Sequence, residues 1–434
     1  LHPVELESVE LSRPHPADLQ LSLRFRMTGG VMFDTVKLNS LRLHLLGERA
    51  TRFTLYLWLT HHLQRITVRD GEGKPCLTLG ASAARPVGFG DAEHLCDHRP
   101  TPLPGVRLVQ EYFAFVDKFL GVDFVGLGGV PPRRIKDSFH IVFHLGTPPE
   151  ANLKVATENF ALGCTPAVNL SPPEQVDVPV QPGVSEFRLR APSEGEIYTV
   201  DRVGAYDSRS GQWINYPSLF SQREDRAEQK NPRYQVLRRS DGVEGGEVYL
   251  AIRDPEGRPL PPPAEMLHVD LTYTNGNRPM RLGEGKIDVP TSSSPEFCLF
   301  QNVGGVVSPA PLQVDRDRHW ELLALFSMHP RDLMAKDGLA QLLHACLDLK
   351  SSSSQMMPDI RDVRVVAGTR LRQRTVVPVT HAHVDLGREA FSSEGELFLF
   401  ARVLAHLLMD RPASTVVTEV TVRGVPDGGE YHFR

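Results

Sequence analysis

A chain of 434 residues, 41% of them hydrophobic, is long enough to bury more than one core, and its length predicts about three domains. A formal net charge of -5, with Lys and Arg scattered among acids, excludes the basic field that nucleic acid or an anionic lipid surface would require. The pairs Arg133-Arg134 and Arg238-Arg239 are too short to make a basic stripe and read as solvated surface.

Many short β-branched runs are punctuated by 35 Pro and 35 Gly, the pattern of a strand-rich chain. In chain order, strands are predicted at 20–26, 40–46, 64–69, 138–144, 187–189, 196–203, 247–253, 267–273, 363–368 and 415–423. Helices are fewer. A short buried one is predicted over 52–63, and a pair at 320–328 and 338–349 is interrupted near Pro330. The clearest helix runs Glu394–Met409, opened by a capping box of Ser393 and Glu396. Leu397, Phe400, Val403, Leu404, Leu407 and Leu408 give it one apolar stripe. The segments 41–70 and 383–424 share the order strand, acidic turn, apolar helix, strand. Duplication and coincidence among common elements both account for that echo.

Breaker clusters divide the chain. Ser171-Pro172-Pro173 through Pro182 closes an N-terminal α+β unit, 1–170. A middle β-rich domain, 171–295, carries a charged insert at 221–231 and a proline turn at 259–263. A C-terminal α+β unit, 296–434, contains a Ser-rich linker at 351–354. The fold class is mainly β with some α (α+β), built as several β-sandwich-like units with a few buried helices. Cys76, Cys96, Cys164, Cys298 and Cys346 are odd in number and lack any Cys-x-x-Cys spacing, which fits a reducing compartment. No apolar run reaches the ~18 residues of a membrane span, and no signal peptide is visible. The chain enters at Leu1 on a strand-like segment, as if an N-terminal portion were missing. A cytoplasmic location is expected.

Several patterns invite a chemical reading, and each has a plainer account. His381, His383 and Asp385 have the alternation with which a strand presents ligands to zinc, but no general base accompanies them, and histidines on strands are usually surface or core residues. His140 and His144 share one strand face and are expected along a half-polar surface. His61-His62 at a helix end can favour the negative terminus of the dipole. Gly126-Leu127-Gly128-Gly129 runs into Pro131-Pro132 without the Lys-Ser/Thr of a phosphate loop, and no dinucleotide fingerprint, nucleophile elbow or His-Glu-x-x-His helix occurs. Trp213, Tyr216 and Phe220 fall in a Gly/Ser-punctuated loop, 207–222. They form either a carbohydrate or protein hot spot or a plug at the open end of a sandwich core.

The densest information lies at 108–120, Leu-Val-Gln-Glu-Tyr-Phe-Ala-Phe-Val-Asp-Lys-Phe-Leu, where Tyr112, Phe113, Phe115 and Phe119 crowd around Glu111 and Lys118. Rings at that density belong to a buried junction. The pattern Leu-x-x-Glu-Tyr-Phe-Ala-Phe-x-x-Lys-Phe resembles the core motif of TssF, a baseplate subunit family of the bacterial type VI secretion system. Further segments are similar to that family in the same order: Pro86-Val87-Gly88-Phe89, Cys164-Thr165-Pro166-Ala167-Val168-Asn169-Leu170, Asp270-Leu271-Thr272-Tyr273-Thr274-Asn275, Trp320-Glu321-Leu322-Leu323, and the helix with Phe391, Leu397, Phe400 and Leu404. There are departures. Tyr273 stands where many members have Cys, the family's N-terminal helical region is absent before Leu1, and Asp410-Arg411-Pro412-Ala413-Ser414 replaces an aromatic stretch after the last helix.

The resemblance implies a phage-baseplate-wedge-like scaffold without catalysis, catalytic residues, cofactor or metal. Its implied partners are TssG, a further TssF copy, TssK, TssE and the VgrG spike hub, with no nucleic acid and no direct membrane insertion. Its implied location is cytoplasmic, docked at the inner face of the inner membrane. Tyr112, Phe113, Phe115, Phe119 and Trp320 are assigned to the internal core, and Trp213, Tyr216, Phe220, Phe398 and Arg402 to partner faces. The alternatives are a phage-tail or contractile-injection wedge protein and a β-rich carbohydrate-binding or hydrolytic domain.

Overall fold

The structure, a computed structural model, describes every residue except 1, 96–103, 132, 151, 208–209, 221–231, 240–245, 293, 297, 308–319, 321–333, 348–356, 373–374 and 410–416. The expected insert at 221–231, the linker at 351–354 and all of the helix at 320–328 but Trp320 therefore lie outside the described residues. Two compact units form: Leu1–Ala167 with Val314–Arg434, and Val168–Gln313. The expected boundaries set the first and last segments apart. They meet in one unit because Phe53, Leu55 and Trp58 from one and Leu397, Phe400 and Leu404 from the other share a continuous core.

The first unit contains three sheets. One is antiparallel, in the order β1 (Val4–His15), β2 (Asp18–Met27), β8 (Ser138–His144), β4 (Arg65–Asp70) and β5 (Pro75–Gly80). In β2 every second residue, Leu19 through Met27, is buried, as the period of a pleated strand requires. A second sheet runs β6 (Ala84–Pro86), β7 (Gly121–Val125), β3 (Ser40–Leu45) and β9 (Phe160–Leu162). The third runs β17 (Ile360–Arg372), β18 (Thr375–Gly387), β19 (Val417–Val425) and β20 (Glu430–Phe433). Here β18 and β19 are parallel, so a crossover is needed, and helix α4 (Glu394–Met409) supplies it.

Helix α1 (Arg49–Leu57) continues into a π-helical turn, Trp58–His62. Helices α2 (Pro104–Ala114) and α3 (Lys336–Cys346) complete the described set. The expected single stripe on α4 is too narrow, since Phe398, Leu399, Ala401 and Ala405 are buried as well. A helix buried over most of its circumference must be apolar over most of it, and only the side with Arg402 and His406 is left open. Both α1 and α2 pack on α4. At Gly395 the approach to α1 is so close that a Cβ would lie 1.9 Å from the Phe53 carbonyl oxygen. The Glu396 backbone N–H donates to Ser393 Oγ, as a capping box demands, but its carboxylate accepts from the Ser392 N–H at 2.9 Å and from Arg49 of α1. Burial pushes that carboxyl up, yet the hydrogen bonds from Arg49 and Ser392 outweigh it and hold Glu396 below the ordinary range.

The second unit is a two-layer sandwich. One sheet runs β10 (Glu174–Pro179), β16 (Met266–Thr274), β12 (Glu196–Asp207) and β13 (Gln212–Tyr216); the other runs β11 (Glu186–Leu189), β15 (Glu247–Arg253) and β14 (Arg233–Arg239). Val203, Leu267 and Val269 from the first meet Phe187, Leu250 and Ile252 from the second. Two separated motifs are joined here, because Asn169 Oδ1 accepts from Asn275 Nδ2 at 3.1 Å and Ser171 N donates to the Tyr273 carbonyl at 2.8 Å. After a short 3-10 turn at Arg278–Arg281 the described residues up to 307 are irregular. Asn302 ties this stretch together: Nδ2 donates to the Gly283 and Gly304 carbonyls, and Oδ1 accepts from Ile287 N at 2.9 Å.

Candidate partner-binding surfaces

The aromatic motif lies in the core of the first unit. Helix α2 ends at Ala114, the chain turns at Phe115, and a 3-10 turn spans Val116–Phe119. Tyr112 meets Phe400 of α4 at 5.3 Å between ring centroids, and Phe119 meets Phe89 at 5.0 Å. Phe113 packs on the same core from its margin, while Phe115 is half-buried. Lys118 forms an ion pair with Glu111, both buried, and Glu111 also accepts from the Leu95 N–H at 2.9 Å. Burial pushes the Lys118 ammonium down, opposed by its bond to Glu111. The assignment of Trp320 to the core is corrected: its side chain is 67% exposed.

The expected aromatic loop proves to be a strand pair, and that separates its rings. Trp213 and Tyr216 on β13 are three residues apart and so point to opposite faces. Tyr216 is 3% exposed inside the sandwich, which corrects its assignment to a partner face. Burial pushes its phenol up to about 12. Trp213 is half exposed on the outer face, with its Nε1 donating to Asn215 Oδ1 at 2.8 Å and its ring stacked on His268 at 5.2 Å. The indole lies across Gly204, where a Cβ would meet it at 2.5 Å. The register sets Tyr206, also half exposed, directly opposite Trp213. Met266 on β16 is exposed as well, and Asp177 binds His268 Nδ1 at 2.7 Å. The hydrogen bond with His268 holds the Asp177 carboxyl below its usual range. An apolar centre with a polar rim is the anatomy of a protein interface. Phe220 is the most exposed of the three predicted rings.

Two apolar surfaces were not anticipated from sequence. In the irregular stretch up to 307, Ile287, Val289, Leu299, Phe300 and Val303 are all exposed, Leu299 completely. The sequence signal was the run Cys298-Leu299-Phe300, which lies just after the expected division between 295 and 296. The second is the β17–β18 hairpin. Its strands pair from Ile360–Leu386 to Arg372–Thr375, whereas β19 pairs only with Val379–Gly387. The outer half of this ribbon exposes Leu371 and Val376.

On α4 the two predicted partner residues divide. Phe398 is 2% exposed, packed against Tyr431 and Phe433, so its assignment is corrected. Arg402 is half-buried; its Nη1 donates to the Tyr56 hydroxyl at 2.8 Å and its guanidinium lies 4.8 Å from the centroid of the Phe398 ring.

The chemical candidates resolve structurally. Asp385 is engaged by Arg364 and Arg423, and His381 by Glu419. Among the described residues no group of three or more His, Cys, Asp or Glu side chains is placed to hold a metal ion. His144 is buried rather than on a half-polar surface, because β8 is the central strand of its sheet. Its ring nitrogens meet Thr67 Oγ1 at 3.1 Å and Asp18 at 3.3 Å. The dipole role expected of His61-His62 is also corrected. Burial, reinforced by His61, pulls the His62 imidazole down to about 4, so it carries no charge at neutral pH to offer a helix terminus. Among the described residues no helix is long and apolar enough to cross a membrane.

Comparison with known proteins accords with this architecture. The chain is 24% identical to the type VI secretion system component TssF1 of Pseudomonas aeruginosa, over 93% of this chain and 70% of that protein. Its fold is similar to a chain in the type VI secretion TssK-TssF-TssG baseplate subcomplex, with a TM-score of 0.80 and 21% identity over all of this chain and 81% of that one. A chain of the type VI secretion baseplate complex matches with a TM-score of 0.62 and 17% identity, over all of this chain and 76% of that one. The family model described as type VI secretion system, TssF matches residues 1–432. With the aromatic motif, the Pro86–Phe89 segment and α4 meeting in one core, the chain belongs to the TssF family of the type VI secretion system.

Proposed function

We infer that this chain acts as a structural subunit of the type VI secretion baseplate, holding TssG and TssK through protein–protein contacts, beside a further TssF copy. Its work is geometric: a rigid core keeps outward faces at fixed angles while spike hub, TssE and sheath assemble around them. On this reading it performs no catalysis and acts in the cytoplasm, with the baseplate docked against the inner membrane. The observation that carries the proposal is the outer sandwich face, where Trp213 and Tyr206 stand half exposed on a regular sheet. Large rings held rigidly in the open, with a polar rim, are what hot spots are made of. The irregular stretch bearing Leu299 and Phe300 is a second candidate face, ordered by its own hydrogen bonds rather than by burial.

The test is co-purification of this chain with TssG and TssK from one cell, followed by mass determination of the complex. A stable complex that Trp213→Ala weakens is expected. A chain that stays alone when all three are present overturns the proposal.

A further inference from the structure

Several half-buried arginines of the first unit are matched by acids. Arg49 pairs with Glu396, Arg52 with Asp117 at 2.7 Å, and Arg388 with Glu394 at 3.0 Å. Arg402 has no carboxylate partner among the described residues. Of its five N–H donors, one bonds the Tyr56 hydroxyl. Its charge is felt by its neighbours: burial first and then Arg402 pull the His61 imidazole down.

Arg402 and Arg434 line a cavity of about 380 Å³ whose wall, among the described residues, contains no Asp or Glu side chain. His406, one turn further along α4, and His432 of β20 add ring nitrogens, while Phe89, Met409 and Phe433 supply an apolar wall. The Phe89 ring stacks on His406 at 4.8 Å. Polarity along the cavity follows the helix. Met409 lies seven residues beyond Arg402, about 10 Å along the axis, at the C-terminal end, where the helix dipole disfavours an anion. His432 already has Glu430 at 3.5 Å. Arg434 is exposed, so solvent screens its charge; an incoming anion therefore belongs at the half-buried Arg402, and its apolar continuation at Phe89, Met409 and Phe433.

We propose that this cavity receives an acidic-aromatic segment of a partner protein, with its carboxylate seated on Arg402 and the adjoining ring among Phe89, Met409 and Phe433. A guanidinium presents a planar fork that matches a carboxylate, and the volume is that of a small ligand site. The inference does not rest on the assembly proposed above, since it is tested on this chain alone.

The experiment is a fluorine NMR titration of the whole chain with acetyl-Glu-(4-fluoro-Phe)-amide, its Gln counterpart, and the Gln peptide ending in a free carboxylate. The Glu peptide is expected to bind at least about tenfold more tightly than the Gln amide. Arg402→Gln should abolish that difference, and Arg402→Lys should restore part of it. Tight binding of the free acid instead of the Glu peptide would identify a chain terminus as the carboxylate source. Equal binding of the Glu peptide, the free acid and the Gln amide, or no binding of any below about 10 mM (a free energy of binding weaker than about 3 kcal/mol), overturns the proposal. The comparison among peptides decides the matter even if a substitution at Arg402 unfolds the chain.

Discussion

The α2 motif and the β12–β13 hairpin are both rich in rings, and the fold treats them oppositely. Tyr112 and Phe119 disappear into a core because partners arrive from distant segments, Phe400 from α4 and Phe89 from the turn after β6. The charges interleaved with them, Glu111 and Lys118, are buried together and neutralise each other. Trp213 and Tyr206 stay half exposed because the alternate positions of their strands, Ala205 and Tyr216, already fill the sandwich. Ring density therefore does not decide burial. In a strand the parity of the position decides it, and in a helix the supply of partners does.

The largest effect expected on the buried side comes from Lys118→Met. It leaves the Glu111 carboxylate enclosed without its cation, and breaking one half of a buried pair costs about 3–5 kcal/mol. Urea unfolding of the first unit measures it. The double change Glu111→Leu with Lys118→Met should recover most of that loss, since no buried charge remains. A single substitution costing less than about 1 kcal/mol, the range of solvated surface pairs, would mean the motif is not closed to water.

Trp213→Ala tests the exposed side. Stability should fall by no more than about 1 kcal/mol, since the ring is half exposed on the outer face of the sheet. Capture of TssG or TssK should weaken about thirtyfold or more, the mark of a hot-spot tryptophan. The reverse outcome, a large loss of stability with capture unchanged, would make this ring structural and erase the distinction from Tyr112. Leu299→Ser sharpens the same contrast. Full exposure predicts a stability change within about 0.5 kcal/mol, while capture should weaken about tenfold if that stretch is a second face. Circular dichroism melts and pull-down titrations separate the two readouts.

Much of the architecture was legible because the strands and α4 carry strong periodic signals. The predicted strand at 138–144 and the helix Glu394–Met409 match the observed elements. The meeting of the two chain ends was not legible, because no local pattern records that Phe53 and Gly395 touch. The echo between 41–70 and 383–424 illustrates the limit. Both segments fold as strand, helix, strand, and α1 packs on α4. Yet β18 and β19 pair in one sheet, whereas β3 and β4 belong to different sheets. Order survives in sequence, but sheet partnership depends on contacts made elsewhere. Surfaces were the least legible: Tyr216 and Phe398 look like their exposed counterparts until their faces are known, and Leu299 looks like a core residue.

The smallest effect concerns how the buried side treats charge. His62 closes the π-helical turn, half-buried beside His61, which itself packs on Phe398 and Tyr431. Its folded-state pKa falls from the ordinary 6.5 to about 4, so between those values the unfolded chain binds more proton than the folded one. Stability is then complete above about pH 6.5 and declines as the pH falls towards 4. A fully enclosed ring would lose more, but solvent screening of a half-buried one leaves about 1 kcal/mol. His62→Gln keeps a polar side chain that cannot titrate, and should flatten the stability profile across that window while leaving it unchanged at pH 7.5. An unaltered profile would show that the end of this helix tolerates charge, and the line between the two regions would have to be drawn deeper in the core.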